Sequence, residues 1–488
     1  MALNLALSDL SRLDKIRAAL ANDEHHARFA DLGMDQLTVD EGASDDLVAT
    51  LERQLRRAGL DVGPDRRVCV IVDDVIIRRH GESLKDLLLA RLAARFEVSP
   101  IVLSDGHAVL HADEPILDRA AAGAVGADAV VSIGGGTITD IAKIAAMRNK
   151  TPVHVVVQTA ASVDGYTDNF SVVLQKGDKR TLLTRWPDAV LTDVSVIAEA
   201  PRELNASGLG ELLSLYCAPG DWLLAARCGM GETFTPMLIE MLELCGAGVE
   251  DWAVGVRHGD LAAAHRLAAA LAMRGIVSGV GGTTAILSGM EHLFSHMLDI
   301  HGAESGAATG LHGAQVGVGS VIAAAAWEEF CERMEKTPVD PARMTLAPDE
   351  AETRVRAAFA SLDSSGRLGG QCWGHYREKL AKWNNARASV ASVFADWPAF
   401  RAEHDAIVMS SARLAACLHR GGSPKRPNDL TPAVPAALTR WTVANCQFMR
   451  ERFTIADLLT FAGWWDEDTV TRVLDRAEAA CAAAERGP

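Results

Sequence analysis

Three histidines and a glutamate are the residues of this chain whose types and spacing suit chemistry most directly. In Glu291-His292-Leu293-Phe294-Ser295-His296 the two histidines are four apart, so a helix puts both imidazoles on one side. His312 follows in Leu311-His312-Gly313-Ala314-Gln315-Val316-Gly317-Val318-Gly319, at the expected start of another helix. Two imidazoles from neighbouring helices and one carboxylate make a divalent-metal site with a position left open for substrate. Glu211, in Gly208-Leu209-Gly210-Glu211-Leu212-Leu213, is the candidate carboxylate. It also reads as a first-turn glutamate favoured by the helix dipole with no ion present. An isolated histidine, likewise, is more often a surface or core residue than a ligand.

A second stretch suits phosphate binding. Val130-Val131-Ser132-Ile133 reads as the end of a buried parallel strand, and Gly134-Gly135-Gly136 follows at once, before the helix-like Thr137-Ile138-Thr139-Asp140-Ile141-Ala142-Lys143. Glycines let the backbone turn tightly and approach a ligand, and the next helix aims its positive end at the same place. Thr139 stands where a G-x-G-x-x-G fingerprint requires its last glycine, so the run also reads as a simple tight turn.

These residues need elements to position them. Residues 1 to about 65 read as helix and linker. Val68–Val72, ending in Asp73-Asp74, and Pro100–Leu103 are continuous apolar runs, and a helix is expected at about 112–126. Val153–Gln158 and Ala189–Asp193 are further strands, and Ser171–Gln175 and Arg180–Leu183 flank Lys176-Gly177-Asp178-Lys179 as a hairpin. Alternating strand and helix mean βαβ units and a parallel sheet. After Pro201 the pattern is helical to the end, with segments around 206–230, 234–248, 258–278, 285–300, 313–335, 350–361, 404–419 and 467–485. The expected architecture is an α/β dinucleotide-binding domain over 1–200, with an N-terminal helical extension, and a helical metal- and substrate-binding domain over 201–488.

Composition narrows the function. The chain has 488 residues, a net charge of −16 and a mean hydropathy of +0.08, the profile of an ordinary globular protein. That acidity disfavours nucleic acid as a partner, so any anionic substrate needs a local basic pocket. Nine cysteines without a C-x-x-C pair fit reduced thiols in a cytoplasm. Neither a signal peptide nor a membrane span is expected.

Taken together, Ser132–Asp140, Thr159-Ala160-Ala161-Ser162-Val163-Asp164-Gly165-Tyr166-Thr167, Gly208–Glu211, Gly289-Met290-Glu291-His292, Leu311-His312-Gly313 and Arg452–Leu459 resemble the sn-glycerol-1-phosphate dehydrogenase branch of a larger superfamily. That superfamily also contains iron-containing alcohol dehydrogenases, glycerol dehydrogenase and dehydroquinate synthase. The resemblance runs from about residue 40 to about 465. It implies the two-part fold just described, NAD or NADP as cofactor, one divalent metal (zinc or nickel), and a small-molecule substrate; a homodimer is expected. It implies that Glu211, His292 and His312 are the metal ligands and that His296 faces the substrate or nicotinamide. By the same resemblance Gly134, Gly135, Gly136 and Asp140 hold the pyrophosphate, Asp73 lies near the adenine ribose, Thr159 and Ser162 lie along the cofactor, and Asp164 lies near the substrate.

Two departures from that family bear on the chemistry. The family has aspartate where this chain has Glu211, and the extra methylene moves the carboxylate by over an ångström. It also has lysine and threonine where this chain has Leu215 and Cys217, which removes a cation that a phosphorylated substrate would use. The expected reaction is hydride transfer between NAD(P)H and a small hydroxy-ketone, with dihydroxyacetone phosphate and sn-glycerol 1-phosphate as the reference pair. His296 would relay the proton and Asp164 orient a hydroxyl. Lys176, Lys179 and Arg180 are candidates for meeting the phosphate, or else a solvated turn. Asp73 suits a ribose 2′-hydroxyl and repels a 2′-phosphate, which favours NAD. The alternatives are a related dehydrogenase acting on another alcohol or aldehyde, a dehydroquinate synthase-like lyase, and a degenerate binding protein.

Overall fold

The structure is a computed structural model, in which residues 5–106, 110–175 and 178–486 are described. The chain forms two compact units. One comprises Met1–Gly208, Glu240–Ala247 and Val254–Gly282, and the other Leu209–Ile239, Gly248–Ala253 and Thr283–Pro488. The sequence expectation drew one cut at residue 200. The chain instead passes between the units several times, because the helix Leu261–Gly281 is grouped with the sheet that precedes it.

The first unit is built on a six-stranded sheet. Its strands are β1 (Gln36–Asp40), β2 (Arg67–Asp73), β5 (Glu97–Leu103), β6 (Ala129–Gly134), β7 (Val153–Gln158) and β10 (Ala189–Asp193); a two-residue pair, β3 (Arg78–Arg79) and β4 (Glu82–Ser83), lies between β2 and β5 in sequence. The order is β1-β10-β7-β6-β2-β5, and every neighbouring pair is parallel. Period-two alternation divides the strand residues between two cores. Val68, Val70 and Val72 pack with Leu47, Leu51, Leu84 and Leu88 on one face, and Cys69 and Ile71 pack with Ile116, Leu117, Ile138 and Ile141 on the other. The connection from β2 to β5 therefore runs on one face, and those from β5 to β6 and β6 to β7 run on the other. The winding reverses between β2 and β6, the point where an open α/β sheet leaves a crevice at its carboxyl ends.

β1 corrects the reading of residues 1 to 65 as helix and linker. Gln36–Asp40 is an edge strand that pairs with β10 from Gln36↔Ala189 to Asp40↔Asp193. The expected hairpin is β8 (Phe170–Gln175) with β9 (Asp178–Leu183), antiparallel. Lys176 and Gly177 at its turn lie outside the described residues, and Arg180 is exposed.

The second unit is helical among its described residues. Met290–Ser305 and His312–Lys336 are its long inner helices, and Arg202–Leu213 leads into it. Small residues set one close crossing within it. A Cβ at Gly210 would collide with the Gly313 carbonyl oxygen, and one at Gly317 would come within 2.8 Å of the Gly210 Cα. Backbone therefore meets backbone, which draws the end of Arg202–Leu213 against the start of His312–Lys336. All nine cysteines of the chain are buried and unpaired, and no described helix is long and apolar enough to cross a membrane.

Candidate functional site

The helical unit brings Glu211, His292 and His312 together. One ligand-type atom from each lies within 4.8 Å of the others. His292 Nε2 is 3.4 Å from Glu211 Oε1, and His312 Nε2 is 3.8 Å from Glu211 Oε2. Glu211 sits in the last turn of Arg202–Leu213, not the first, since the helix starts directly after Pro201. There the helix dipole disfavours a carboxylate, and the side chain is only 3% exposed. The dipole explanation offered by the sequence therefore fails, and the cost of burying this charge calls for a cationic partner.

Both imidazoles are oriented from behind. His292 Nδ1 donates to Glu291 Oε1 at 2.8 Å. Ser295 Oγ donates to Gln315 Oε1 at 2.7 Å, which leaves it to accept His312 Nδ1–H at 2.9 Å. Each ring thus turns Nε2 to the side where Glu211 lies, and when neutral would present its lone pair there, the arrangement by which outer hydrogen bonds fix the tautomer of a metal-binding histidine. Burial alone would lower the His292 pKa, but the Glu211 and Glu291 carboxylates outweigh it and raise it to about 9. Two imidazole nitrogens and one carboxylate fit a borderline divalent ion such as zinc or nickel.

Asp221, which the sequence reading passed over, anchors the start of the histidine-bearing helix. Its carboxylate accepts from Met290 N at 2.8 Å, Ile455 N at 2.9 Å and Trp327 Nε1 at 3.0 Å. Burial and then the charge of Glu291 raise its pKa to about 8. His296 lies one turn beyond His292, with Nδ1 3.7 Å from Asp299 Oδ2. Leu215 is 2% exposed and brings no charge to its surroundings.

In the sheet unit the glycine run falls where β6 ends. Gly135 is the N-cap of Gly136–Asn149 in extended conformation and supplies no side-chain cap, which suits the start of that helix to an anion. Asp140 stands one turn further along, half-buried. On the next strand Gly134 pairs with Gln158, and Thr159 N donates to Gly134 O at 3.1 Å, which sets the Thr159–Ser162 segment beside the glycine turn. Asp73 ends β2 across the reversal point. It is held by Lys85, whose ammonium contacts its carboxylate and donates to Asp73 O at 2.8 Å and Val75 O at 2.7 Å.

Two further cations were not legible as partners in the sequence. Buried Lys143 donates to Asp168 Oδ1 at 2.5 Å, Gly165 O at 2.7 Å and Phe170 O at 2.9 Å, and so clamps the loop after Asp164. Arg274, fully buried on Leu261–Gly281, donates from Nε to Asp164 Oδ2 at 3.1 Å.

A doubly wound sheet with a glycine turn at its reversal point, and a helical unit with an imidazole–carboxylate cluster, define a class of α/β-plus-helical proteins. Solved structures share this fold. A probable glycerol dehydrogenase from Sinorhizobium meliloti 1021 superposes with a TM-score of 0.55 at 18% identity, over 94% of this chain and 100% of that one. Maleylacetate reductase from Rhizobium sp. strain MTP-10005 gives 0.54 at 18% identity, over 93% and 98%.

The sequence profile of the family described as iron-containing alcohol dehydrogenase matches residues 42–201. A protein named glycerol-1-phosphate dehydrogenase (NAD(P)+) from Bacillus licheniformis is 31% identical over 309 residues, 62% of this chain and 72% of that protein. One of the same name from Geobacillus thermodenitrificans is 28% identical over 64% of this chain and 74% of its own length. The chain belongs to the iron-containing alcohol dehydrogenase family.

Proposed function

We propose that this protein is a metal-dependent, NAD(P)-linked dehydrogenase that interconverts dihydroxyacetone phosphate and sn-glycerol 1-phosphate. The observation that carries the reading is the convergence of Glu211, His292 and His312, with both Nδ1 atoms already engaged. The names of its sequence relatives support the substrate and the cofactor. Glu211, His292 and His312 would hold a divalent ion, zinc or nickel, which when bound polarises a carbonyl and stabilises developing alkoxide charge.

The chain's own residues do the rest. In this reading the 1–200 region binds the dinucleotide: the N–H groups that follow Gly135 receive the pyrophosphate, with Gly134, Gly136 and Asp140 around the same turn. Thr159 and Ser162 line its path, and Asp73 accepts from the ribose. Lys85 offsets part of the Asp73 charge, which weakens discrimination against a 2′-phosphate. Asp164, ion-paired with Arg274, orients a substrate hydroxyl, and His296 moves the proton at its ring nitrogen. The enzyme is read as a cytoplasmic homodimer, for which the buried free thiols support a reducing compartment.

The uncharged Leu215 favours a second reading, in which the same chemistry serves a non-phosphorylated hydroxy-ketone. Oxidation of NADH and NADPH, measured with dihydroxyacetone phosphate and with dihydroxyacetone on chelator-treated and zinc- or nickel-reloaded protein, tests both. Restored turnover that prefers the phosphorylated substrate is expected. Equal rates favour the second reading, and turnover that ignores the metal overturns both.

A further inference from the structure

His312 belongs to a second grouping as well. His296, Asp299 and His312 each contribute one ligand-type atom, and these lie within 4.8 Å of one another. His296 and Asp299 are one turn apart on Met290–Ser305, so the helix presents them side by side. The His312 ring is central to the three histidines: its centroid is 5.3 Å from that of His292 and 5.5 Å from that of His296, whereas His292 and His296 are 6.3 Å apart.

Exposure separates the two groupings. Glu211 and His292 are 3% and 9% exposed, while His296, Asp299 and His312 are 14%, 17% and 24% exposed. An ion arriving from solvent therefore meets the second set first. With Nδ1 of His312 held by Ser295, Nε2 is the ring nitrogen left to ligate, and a neutral imidazole ligates one ion at a time. The two groupings are then successive positions for one ion and not a paired site.

We infer that His296, Asp299 and His312 form an outer station for a borderline divalent cation, through which the ion enters and leaves the buried cluster of Glu211, His292 and His312. The donor set, two imidazole nitrogens and a carboxylate, is matched to zinc, nickel or cobalt and not to magnesium or calcium. The inference rests on the reading that the Glu211 cluster holds an ion. A station on the way alters the barrier to exchange and leaves the end states alone.

The test is Co²⁺ exchange on the full chain after its metal has been stripped, followed by ligand-field absorption. Asp299→Ala should slow both uptake and chelator-driven release by about tenfold, the lower end of what a lost partner at a metal site costs. Equilibrium affinity should stay within about threefold, well under that same cost. Unchanged rates overturn the inference, as does a loss of affinity equal to the loss of rate, which would make Asp299 part of the resident site.

A second arm titrates Glu211→Ala with Co²⁺. A single equivalent, weaker by about a hundredfold and abolished by adding Asp299→Ala, supports the station. No binding in Glu211→Ala, or binding indifferent to Asp299, counts against it. If the unaltered chain takes up no ion, or Glu211→Ala keeps full affinity, the reading of the Glu211 cluster is what fails.

Discussion

The two proposed binding regions, one in each unit, are made in opposite ways. In the sheet unit, Asp73, Gly134 and Thr159 come from the ends of strands or the residue just beyond, and the central strands are register-locked neighbours. In the proposed reading main-chain N–H groups there would do the binding, so almost any sequence that keeps the turn would keep the site. In the helical unit, residues 211, 292 and 312 come from three helices, and each imidazole needs its own supporting acceptor. A backbone site tolerates change in side chains and fails when a side chain enters the turn. A side-chain site fails when one group is shortened or removed.

The largest test of this contrast is Glu211→Ala. Metal content should fall below stoichiometric, and kcat/KM should drop by about a thousandfold, the few kcal/mol a Lewis acid supplies. NAD(P)H binding, read by nicotinamide fluorescence, should change little. A variant that keeps its metal would break the proposed cluster.

The second test is pH. In metal-free protein His292 has its pKa raised to about 9, so its contribution to stability is fully present below about 6.5, its unfolded value, and is lost as pH rises through 9. The effect is at most about 3 kcal/mol. Metal binding requires the unprotonated ring, so stabilisation by the ion runs the other way and grows with pH up to about 9. Denaturant titrations of stripped and loaded protein between pH 6 and 9 should show stability that falls with pH when stripped and holds nearly level above about 6.5 when loaded. Parallel slopes would sink the assignment of His292 as a ligand.

Gly135→Ala probes the backbone half. The native conformation at Gly135 is open to any residue, and the nearest atom to an added Cβ is the Tyr166 hydroxyl at 3.9 Å. Stability should hold, while dinucleotide affinity should weaken by about tenfold, or about 1.4 kcal/mol, from crowding at the pyrophosphate. Unchanged affinity would move the phosphate away from this turn. The smallest expected effect is from Asp73→Asn, which should raise NADPH use relative to NADH by about threefold, a shift below 1 kcal/mol because Lys85 already neutralises much of the charge.

How legible each half was follows from the same contrast. The central strands announce themselves because burial on both faces demands unbroken apolar runs such as Val68–Val72 and Val155–Val157. β1 does not, since Gln36-Leu37-Thr38-Val39-Asp40 is a short edge strand with polar residues at alternate positions. In the helical unit, the residue types and the four-residue histidine spacing were readable, and the resemblance supplied the grouping. The supports were not: Asp221 reaches Ile455 across more than two hundred residues, and Gln315 meets Ser295 only because two helices pack. Glu211 was assigned to the wrong turn because Pro201 starts its helix earlier than the apolar pattern suggested. The ion-paired lysines Lys85 and Lys143 carry no local signal, since a buried ammonium is defined only by what folds around it.

The shielded thiols give this chain a built-in gauge of its own opening. Burial raises Cys69 and Cys481 to about 11 and Cys228 and Cys245 to about 12, so a maleimide or disulfide dye finds almost no thiolate while the fold is closed. Cys69 lies in the sheet unit and Cys228 in the helical unit. Mapping which of them labels first, with and without added zinc, would reveal which half loosens when the ion is withdrawn.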